Sequence, residues 1–351
     1  METKVWRVDP QVPDPALIAE AAQAILSGQL VAFPTETVYG LGANAFDRQA
    51  VKRIFTAKGR PAQDPLIVHL ASEELLSQVA AEIPPLAERL IERFWPGPLT
   101  LVLPKQTRVL DEITAGLPTV AVRVPAHAVA LGLLRAAGVP VVAPSANRFG
   151  HVSPTTAQHV LEDLGGLIEG ILDGGATNVG VESTVLDLTC SPPRLLRPGG
   201  ISLEALQAQI GEVLYETQLA NAGDALIAQR SPGLLAKHYA PRAELWLFSG
   251  KKEQALEKMR QTAEQISRSG RQVGVLVSEE DRERFSDLPL VVYCLGSERW
   301  LDEMAKNLYT ALRLLDQQGI ELILAREVEA SGLGLAIRDR LRRAASRVIE
   351  S

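Results

Sequence analysis

The residues best suited to chemistry are cations in a chain that is acidic overall. Lys58 and Arg60 flank Gly59 and are stopped by Pro61, which sets two positive side chains at a fixed corner suited to phosphate oxygens. A solvated helix end, whose dipole also favours cations, would present the same residues. Arg123 lies in the apolar run Val120–Val124, where Val120, Val122 and Val124 share one face and the arginine points to the other. An arginine inside an apolar strand needs a partner, either a buried carboxylate or an anionic ligand. Arg197 falls at a strand-to-turn transition, Leu195-Leu196-Arg197-Pro198-Gly199.

Polar groups accompany these cations. Phe33–Gly42 places two threonine hydroxyls and a glutamate at the end of a strand. Val142-Ala143-Pro144-Ser145-Ala146-Asn147 runs from an apolar strand into a turn that offers a hydroxyl, an amide and backbone N–H groups. Thr37, Thr119, Ser145, Ser153 and Ser183 supply hydroxyls, the last within Val181-Glu182-Ser183-Thr184-Val185. His69, on the face of Pro65–Leu70 away from Leu66, Val68 and Leu70, reads on its own as a structural histidine. The set is the inventory of a polyanion pocket. No covalent nucleophile stands out, so the chemistry expected is positioning and charge stabilisation.

Several familiar sites are excluded. There is no G-x-x-x-x-G-K-[ST] loop, since Ser249-Gly250-Lys251-Lys252 lacks the glycine spacing, and there is no H-E-x-x-H or G-x-S-x-G. Gly40-Leu41-Gly42-Ala43-Asn44-Ala45 fits the G-x-G-x-x-A dinucleotide fingerprint, with Asp64 about twenty residues on. Pro34–Tyr39 separates it from the preceding strand, so the glycines read better as a tight loop that lets the backbone approach a ligand.

The elements that must position these groups alternate in type. Helices are expected over Ala16–Ser27 and Ala50–Ala57, and strands over Leu30–Phe33, Pro65–Leu70, Leu99–Leu103, Val120–Val124, Val139–Ala143 and Thr184–Leu188. Short Pro/Gly turns between several of them imply a mixed sheet. Leu203–Leu214 reads as a helix, and residues 216–241 as a linker or functional loop. From Ala243 the pattern becomes regular. Strands at Glu244–Phe248, Val273–Val277, Leu290–Cys294 and Glu321–Leu324 alternate with helices at Lys251–Ser267, Trp300–Leu315 and Gly334–Arg347, as in a small parallel, Rossmann-like sheet. Trp300, Met304, Leu308, Leu312 and Leu315 form a core stripe at helical spacing.

Composition bounds the rest. The chain has 351 residues, of which 46% are apolar, enough for two cores. No apolar run reaches the roughly 18–20 residues of a membrane span, and the N-terminus lacks a signal-peptide core. Cys190 and Cys294 make neither a disulfide framework nor a zinc site, which fits a reducing cytoplasm. The net charge of −6 argues against gripping a nucleic-acid backbone as the main task.

The segments Phe33–Gly42, Lys58-Gly59-Arg60-Pro61, Pro65–His69, Trp95–Thr100, Val122–Pro125, Pro144–Asn147, Ser153–Thr156 and Arg197-Pro198-Gly199 resemble, in order and spacing, the YrdC-like threonylcarbamoyl-AMP synthases. Ser231-Pro232-Gly233 and His238-Tyr239-Ala240-Pro241, followed by a small α/β domain, resemble the two-domain Sua-type members. The resemblance implies an α/β fold: a catalytic YrdC-like domain over residues 10–205 with a twisted mixed sheet, a linker or lid over 206–242, and a smaller Rossmann-like domain over 243–351. It implies a nucleotidyltransferase that converts L-threonine, bicarbonate and ATP to threonylcarbamoyl-AMP and pyrophosphate, for the tRNA threonylcarbamoyladenosine next to the anticodon. Thr37, His69, Arg123 and Ser183 match threonine-binding positions. Lys58, Arg60, Asp64, Thr119, Ala143, Ser145, Asn147, Ser153, Arg197 and Tyr239 match the nucleotide's surroundings, with Lys58 and Arg60 as catalytic charge stabilisers. Mg2+ would be held mainly by the ATP phosphates, and a threonylcarbamoyl transferase complex would act downstream. Asp64 stands where many relatives carry Asn or Lys, and Leu234-Leu235-Ala236 departs from the usual Met-Lys-Tyr. An RNA-binding or ribosome-associated module is the competing reading. A carbamoyl-transfer module of the hydrogenase-maturation kind lacks its accompanying segments here.

Overall fold

The computed structural model describes residues 2–215 and 239–351. Of these, 2–149 with 153–215 form one unit, and 150–152 with 239–351 form a second. The loop expected over 216–241 lies outside the described residues except for its last three. Among the described residues no helix is long and apolar enough to cross a membrane.

The first unit opens with β1 (Lys4–Arg7), α1 (Pro15–Leu26), β2 (Val31–Pro34), β3 (Tyr39–Asn44), α2 (Arg48–Lys58) and β4 (Ile67–His69). It continues with α3 (Pro85–Phe94), β5 (Leu99–Pro104), α4 (Asp111–Thr114), β6 (Thr119–Arg123), α5 (Ala128–Ala137) and β7 (Val141–Val142). It closes with α6 (Ala157–Leu164), β8 (Gly170–Asp173), β9 (Thr184–Asp187), β10 (Arg194–Arg197) and α7 (Leu203–Ile210). The ten strands form one sheet in the order β1-β8-β2-β3-β7-β4-β6-β5-β9-β10. It is mixed, as the short turns implied: β2/β3, β3/β7, β4/β7 and β5/β6 are antiparallel, while β4/β6 and β5/β9 are parallel. α1 and α5 cover one region of it, burying Ile18, Ala21, Ile25, Val129 and Leu133 against Val31, Phe33 and Val141.

Local chemistry fixes the ends of these elements. Asp47 caps α2 by accepting from Gln49 N at 2.8 Å and Ala50 N at 3.1 Å. Gly59 closes the helix in the left-handed region (φ 63°). Arg60 N then donates to Phe55 O at 3.0 Å and Gly59 N to Thr56 O at 3.3 Å. This paired closure turns the chain back and aims Arg60 away from the helix axis.

The glycines of Gly40-Leu41-Gly42 do not form a loop. They lie within β3, paired to β2 with Phe33 opposite Gly40 and Val31 opposite Gly42. A Cβ on Gly42 would stand 2.9 Å from the Phe33 ring and 3.1 Å from Val31 O. The residues are small because a packed aromatic ring lies over them, and the expectation of a ligand-approaching loop is corrected.

The second unit contains β11 (Glu244–Ser249), α8 (Lys252–Ser267), β12 (Val273–Val277), β13 (Val291–Cys294), α9 (Leu301–Gln317), β14 (Leu322–Arg326), α10 (Gly334–Ala344) and β15 (Arg347–Glu350). Its strands are all parallel, in the order β13-β12-β14-β11-β15. This is the Rossmann-like sheet that the strand–helix alternation implied. The final helix ends at Ala344 rather than Arg347, and Arg347–Glu350 adds an edge strand against β11. Met304, Leu308, Leu312 and Leu315 are buried, but Trp300 is 64% exposed. Trp300 is the N-cap, with non-helical φ −125° and ψ 72°, so it leaves the stripe its sequence spacing suggested.

Candidate active site

β4 and β6 run parallel with His69 paired to Arg123, which places the two side chains at one level on one face. Arg123 Nε donates to His69 Nε2 at 2.9 Å. Since a guanidinium only donates, Nε2 carries no hydrogen and the imidazole is the neutral Nδ1–H tautomer, with Nδ1 3.2 Å from Ile67 O. Burial, and then the Arg123 charge, hold His69 well below its ordinary pKa. Arg123 Nη2 reaches Thr35 Oγ1 and Thr37 Oγ1, each at 3.2 Å, and Nη1 pairs with Glu36 Oε1 at 3.2 Å. Glu36 Oε2 accepts from Ala126 N at 3.0 Å. Of the two partners open to a strand arginine, the structure supplies the carboxylate. Burial opposes the Arg123 charge, Glu36 and Glu182 favour it, and Arg197 opposes it.

The Thr35–Val38 turn that delivers three of these groups is itself fixed. Thr35 Oγ1 donates to Val38 O at 2.7 Å. The Glu36 carbonyl accepts from Val179 N at 2.8 Å and Asn178 N at 3.2 Å, and the Thr37 carbonyl accepts from Gly180 N at 3.2 Å.

Arg197 closes an adjoining group. Its Nε and Nη2 donate to Ser183 O at 3.2 and 3.0 Å, and Nη2 also donates to Ser183 Oγ at 3.2 Å. Ser183 Oγ lies 2.8 Å from Thr100 Oγ1. Ser153 Oγ donates to Glu182 Oε1 at 2.6 Å. Gly199 belongs to this group for packing reasons, because a Cβ there would lie 2.3 Å from Glu182 O.

The Lys58–Arg60 corner is more enclosed than its sequence suggests. Lys58 Nζ donates to the carbonyls of Ser145 and Asn147, tying the end of α2 to the turn after β7. Two of its three hydrogens are thereby used, leaving one for a ligand. Burial pushes the Lys58 ammonium well below its ordinary pKa and Arg60 adds to this, while Asp64 and Asp163 partly offset it. Arg60 pairs with Asp64 Oδ2 at 2.9 Å and donates to Asp64 O at 3.1 Å and Pro65 O at 2.8 Å. Asp64 is therefore the partner of Arg60, which accounts for a carboxylate in a cationic corner. Ala143 N donates to Ile67 O at 3.0 Å, the half-buried Ser145 bridges to Gly40, and Asn147 Nδ2 donates to Arg148 O at 2.8 Å.

Two expected residues stand apart. Thr119 opens β6 and is half-buried. It lies four residues before Arg123, about 13 Å along the strand on the same face. Tyr239 belongs to the second unit, where it is 1% exposed with φ 62°. Its ring stacks on Tyr309 with centroids 5.9 Å apart, and the Arg340 guanidinium lies 4.9 Å from its centroid. Sequence reasoning counted Thr35 and Glu36 among the polar groups of Phe33–Gly42 and quoted Glu182 beside Ser183 without assigning any of them a contact, and it gave Thr100 no role. The need of Arg123 for an anion was the signal for Glu36; nothing in the spacing pointed to Thr100.

Lys58, Arg60, Arg123 and Arg197 are buried at or near these strand ends, two of them paired with Glu36 and Asp64, and define an α/β protein with a buried cationic site. The chain belongs to the Sua5/YciO/YrdC family, whose profile, described as "Telomere recombination", matches residues 23–199. A second profile, described as "Threonylcarbamoyl-AMP synthase, C-terminal domain", matches residues 201–346. The chain is 51% identical to the threonylcarbamoyl-AMP synthase of Pyrococcus abyssi, over 92% of each chain. It is 45% identical to that of Bacillus subtilis, over 98% of each. The structure of P. abyssi Sua5 complexed with L-threonine superposes with a TM-score of 0.92 at 48% identity, covering 99% of this chain and all of that one.

Proposed function

We propose that the chain is a threonylcarbamoyl-AMP synthase, a nucleotidyltransferase that joins L-threonine, bicarbonate and ATP into threonylcarbamoyl-AMP with release of pyrophosphate. The observation that carries the proposal is the full-length likeness to a Sua5 protein that binds L-threonine, with a buried arginine, Arg123, at the paired ends of β4 and β6. The product would feed a threonylcarbamoyl transferase acting on tRNA in the cytoplasm.

Threonine is held by Thr37, His69, Arg123 and Ser183, with its carboxylate on Arg123. The nucleotide is held by Lys58, Arg60, Asp64, Thr119, Ala143, Ser145, Asn147, Ser153 and Arg197. The threonine nitrogen, freed of its proton, attacks carbon to give a carbamate, and a carbamate oxygen then displaces pyrophosphate at the α-phosphorus. Negative charge grows on the transferring phosphorus and the leaving group, where Lys58 and Arg60 stabilise it. Burial pushes the Lys58 ammonium below its ordinary pKa, and a triphosphate beside it would favour the charged form. A Mg2+ ion would sit mainly on the triphosphate and supply countercharge there.

The test is pyrophosphate release from ATP and bicarbonate with and without L-threonine. The expected result is release that depends on threonine. A protein that released none, yet bound tRNA tightly at physiological salt, would overturn the proposal.

A further inference from the structure

We infer that Glu36 is the proton acceptor of the amino-acid subsite, facing the substrate ammonium while Arg123 takes the carboxylate; this rests on the synthase reading above.

The donor count of Arg123 comes first. A guanidinium has five N–H groups. His69 takes one, Thr35 and Thr37 take two, and Glu36 takes one of the pair on Nη1. One N–H remains. A substrate carboxylate therefore reaches Arg123 beside Glu36, and the two carboxylates share its guanidinium. Both side chains of the pair are almost fully enclosed, at 5% and 7% exposure, so solvent does little to screen them. The other three partners of Arg123 are uncharged, since His69 is the neutral tautomer and the threonines are hydroxyls. With Arg123 and Arg197 set against Glu36 and Glu182, a substrate carboxylate adds a negative charge that the ammonium of an amino acid balances. Its ammonium is one carbon from its carboxylate, so charges alternate from Glu36 to Arg123, to the substrate carboxylate and to its ammonium.

Glu36 is equipped for that contact. Oε1 has Arg123 and Oε2 has the Ala126 N–H as partners, leaving each oxygen a second lone pair. Its backbone carbonyl is held by Val179 N and Asn178 N, so the side chain starts from a fixed point. The charged and titratable groups facing the pair are Arg123 and His69 from β6 and β4, Arg197 from β10 and Glu182 from the segment before β9. Glu182 already accepts the Ser153 hydroxyl.

Forming the carbamate needs such an acceptor. The ammonium R–NH3+ and HCO3− give R–NH–COO−, water and one proton. The C–N bond forms, hydroxide leaves carbon and takes up one nitrogen proton as water, and the remaining proton passes to the Glu36 carboxylate. Atoms and charge balance with no further reactant.

The experiment compares the full chain with Glu36→Gln and Glu36→Asp in threonine-dependent pyrophosphate release from pH 6 to 9, with thermal melting as the folding control. Glu36→Gln is expected to lower kcat about 100-fold near pH 7, the scale of a lost general base. Its KM for ATP should stay within about twofold, and the deficit should shrink toward the alkaline end of that range, where a growing share of the substrate amine loses its proton to solvent. A Glu36→Gln chain with wild-type kcat and only a raised KM for threonine would overturn the proposal, as would a deficit equal at every pH. Should Glu36→Gln not fold, Glu36→Asp decides: a lowered kcat that still falls on acidification supports the proton role, and an unchanged kcat overturns it. A wild-type chain inactive with threonine would instead overturn the synthase reading itself.

Discussion

Removing the Arg123 guanidinium should expose how much the first unit depends on one ion pair. Arg123→Met keeps an unbranched stem of similar reach and deletes every donor. It strands the Glu36 carboxylate, whose side chain is 7% exposed, and leaves His69 Nε2 without its donor. Breaking a buried pair by removing one partner costs about 3–5 kcal/mol, most of it the uncompensated charge. For a unit of this size about 1 kcal/mol corresponds to roughly 2–4 °C, so the melting temperature should fall by about 6–20 °C. Adding Glu36→Gln to Arg123→Met removes the stranded charge. The double variant should then be more stable than Arg123→Met alone, with a coupling of about 2 kcal/mol or more. Urea denaturation measures this in a Trp246→Phe, Trp300→Phe background, where fluorescence reports only Trp6 and Trp95 of the first unit. If the two single costs simply add in the double variant, within about 0.5 kcal/mol, Glu36 is not what neutralises Arg123 and the reasoning fails.

Other consequences are open to measurement. Arg123→Ala should raise the threonine KM far more than the ATP KM; equal changes would reject the carboxylate contact. Gly42→Ala should destabilise by about 1–3 kcal/mol, because its Cβ meets the Phe33 ring at 2.9 Å, and a neutral result in a urea melt would show that the ring yields freely. His69 is held well below its ordinary pKa of 6.5, first by burial and then by Arg123. The unfolded chain therefore takes up a proton below about pH 6.5 that the folded chain refuses, so stability is full above that pH and declines as pH falls. His69→Gln should flatten the stability–pH curve between pH 6.5 and 5, and a slope identical to wild type would contradict the neutral assignment. Tyr239→Ala should lower the melting temperature of the second unit through loss of its stacking on Tyr309. If ATP affinity fell with no change in melting, the ring would serve the nucleotide rather than the core.

Patterning made the second unit legible almost throughout, because a parallel sheet with crossover helices writes long alternating apolar segments into the chain. Its misses are short or terminal. Trp300 has the spacing of the α9 stripe but the backbone of a cap, and Arg347–Glu350 is four residues long with no turn residue to separate it from the helix. The first unit was harder to read. β3 carries two glycines, which propensity assigns to a turn, and only the Phe33 ring packed across them explains why a strand tolerates them. β7 is two residues long. No local window can distinguish β7 from a turn, since its Val142 pairs with Ala43 and Val68, far earlier in the chain.

The site divides the same way. Arg123, Lys58, Arg60 and Arg197 could be singled out because a cation in an apolar or proline-stopped context is costly unless something answers it. What answers it is set by register, which the sequence does not spell out. Glu36 and Arg123 are 87 positions apart and meet although β3, β7 and β4 lie between β2 and β6 in the sheet. Asp64 looked misplaced before a triphosphate until the ion pair with Arg60 supplied its purpose. The same reasoning explains why the corner is buried at all. Lys58 holds the Ser145 and Asn147 carbonyls, Arg60 holds Asp64 and Pro65, and each cation is fixed by acceptors of the chain itself. A phosphate then meets donors already in place and need not order them, which is the condition under which electrostatic stabilisation of a transition state is most effective.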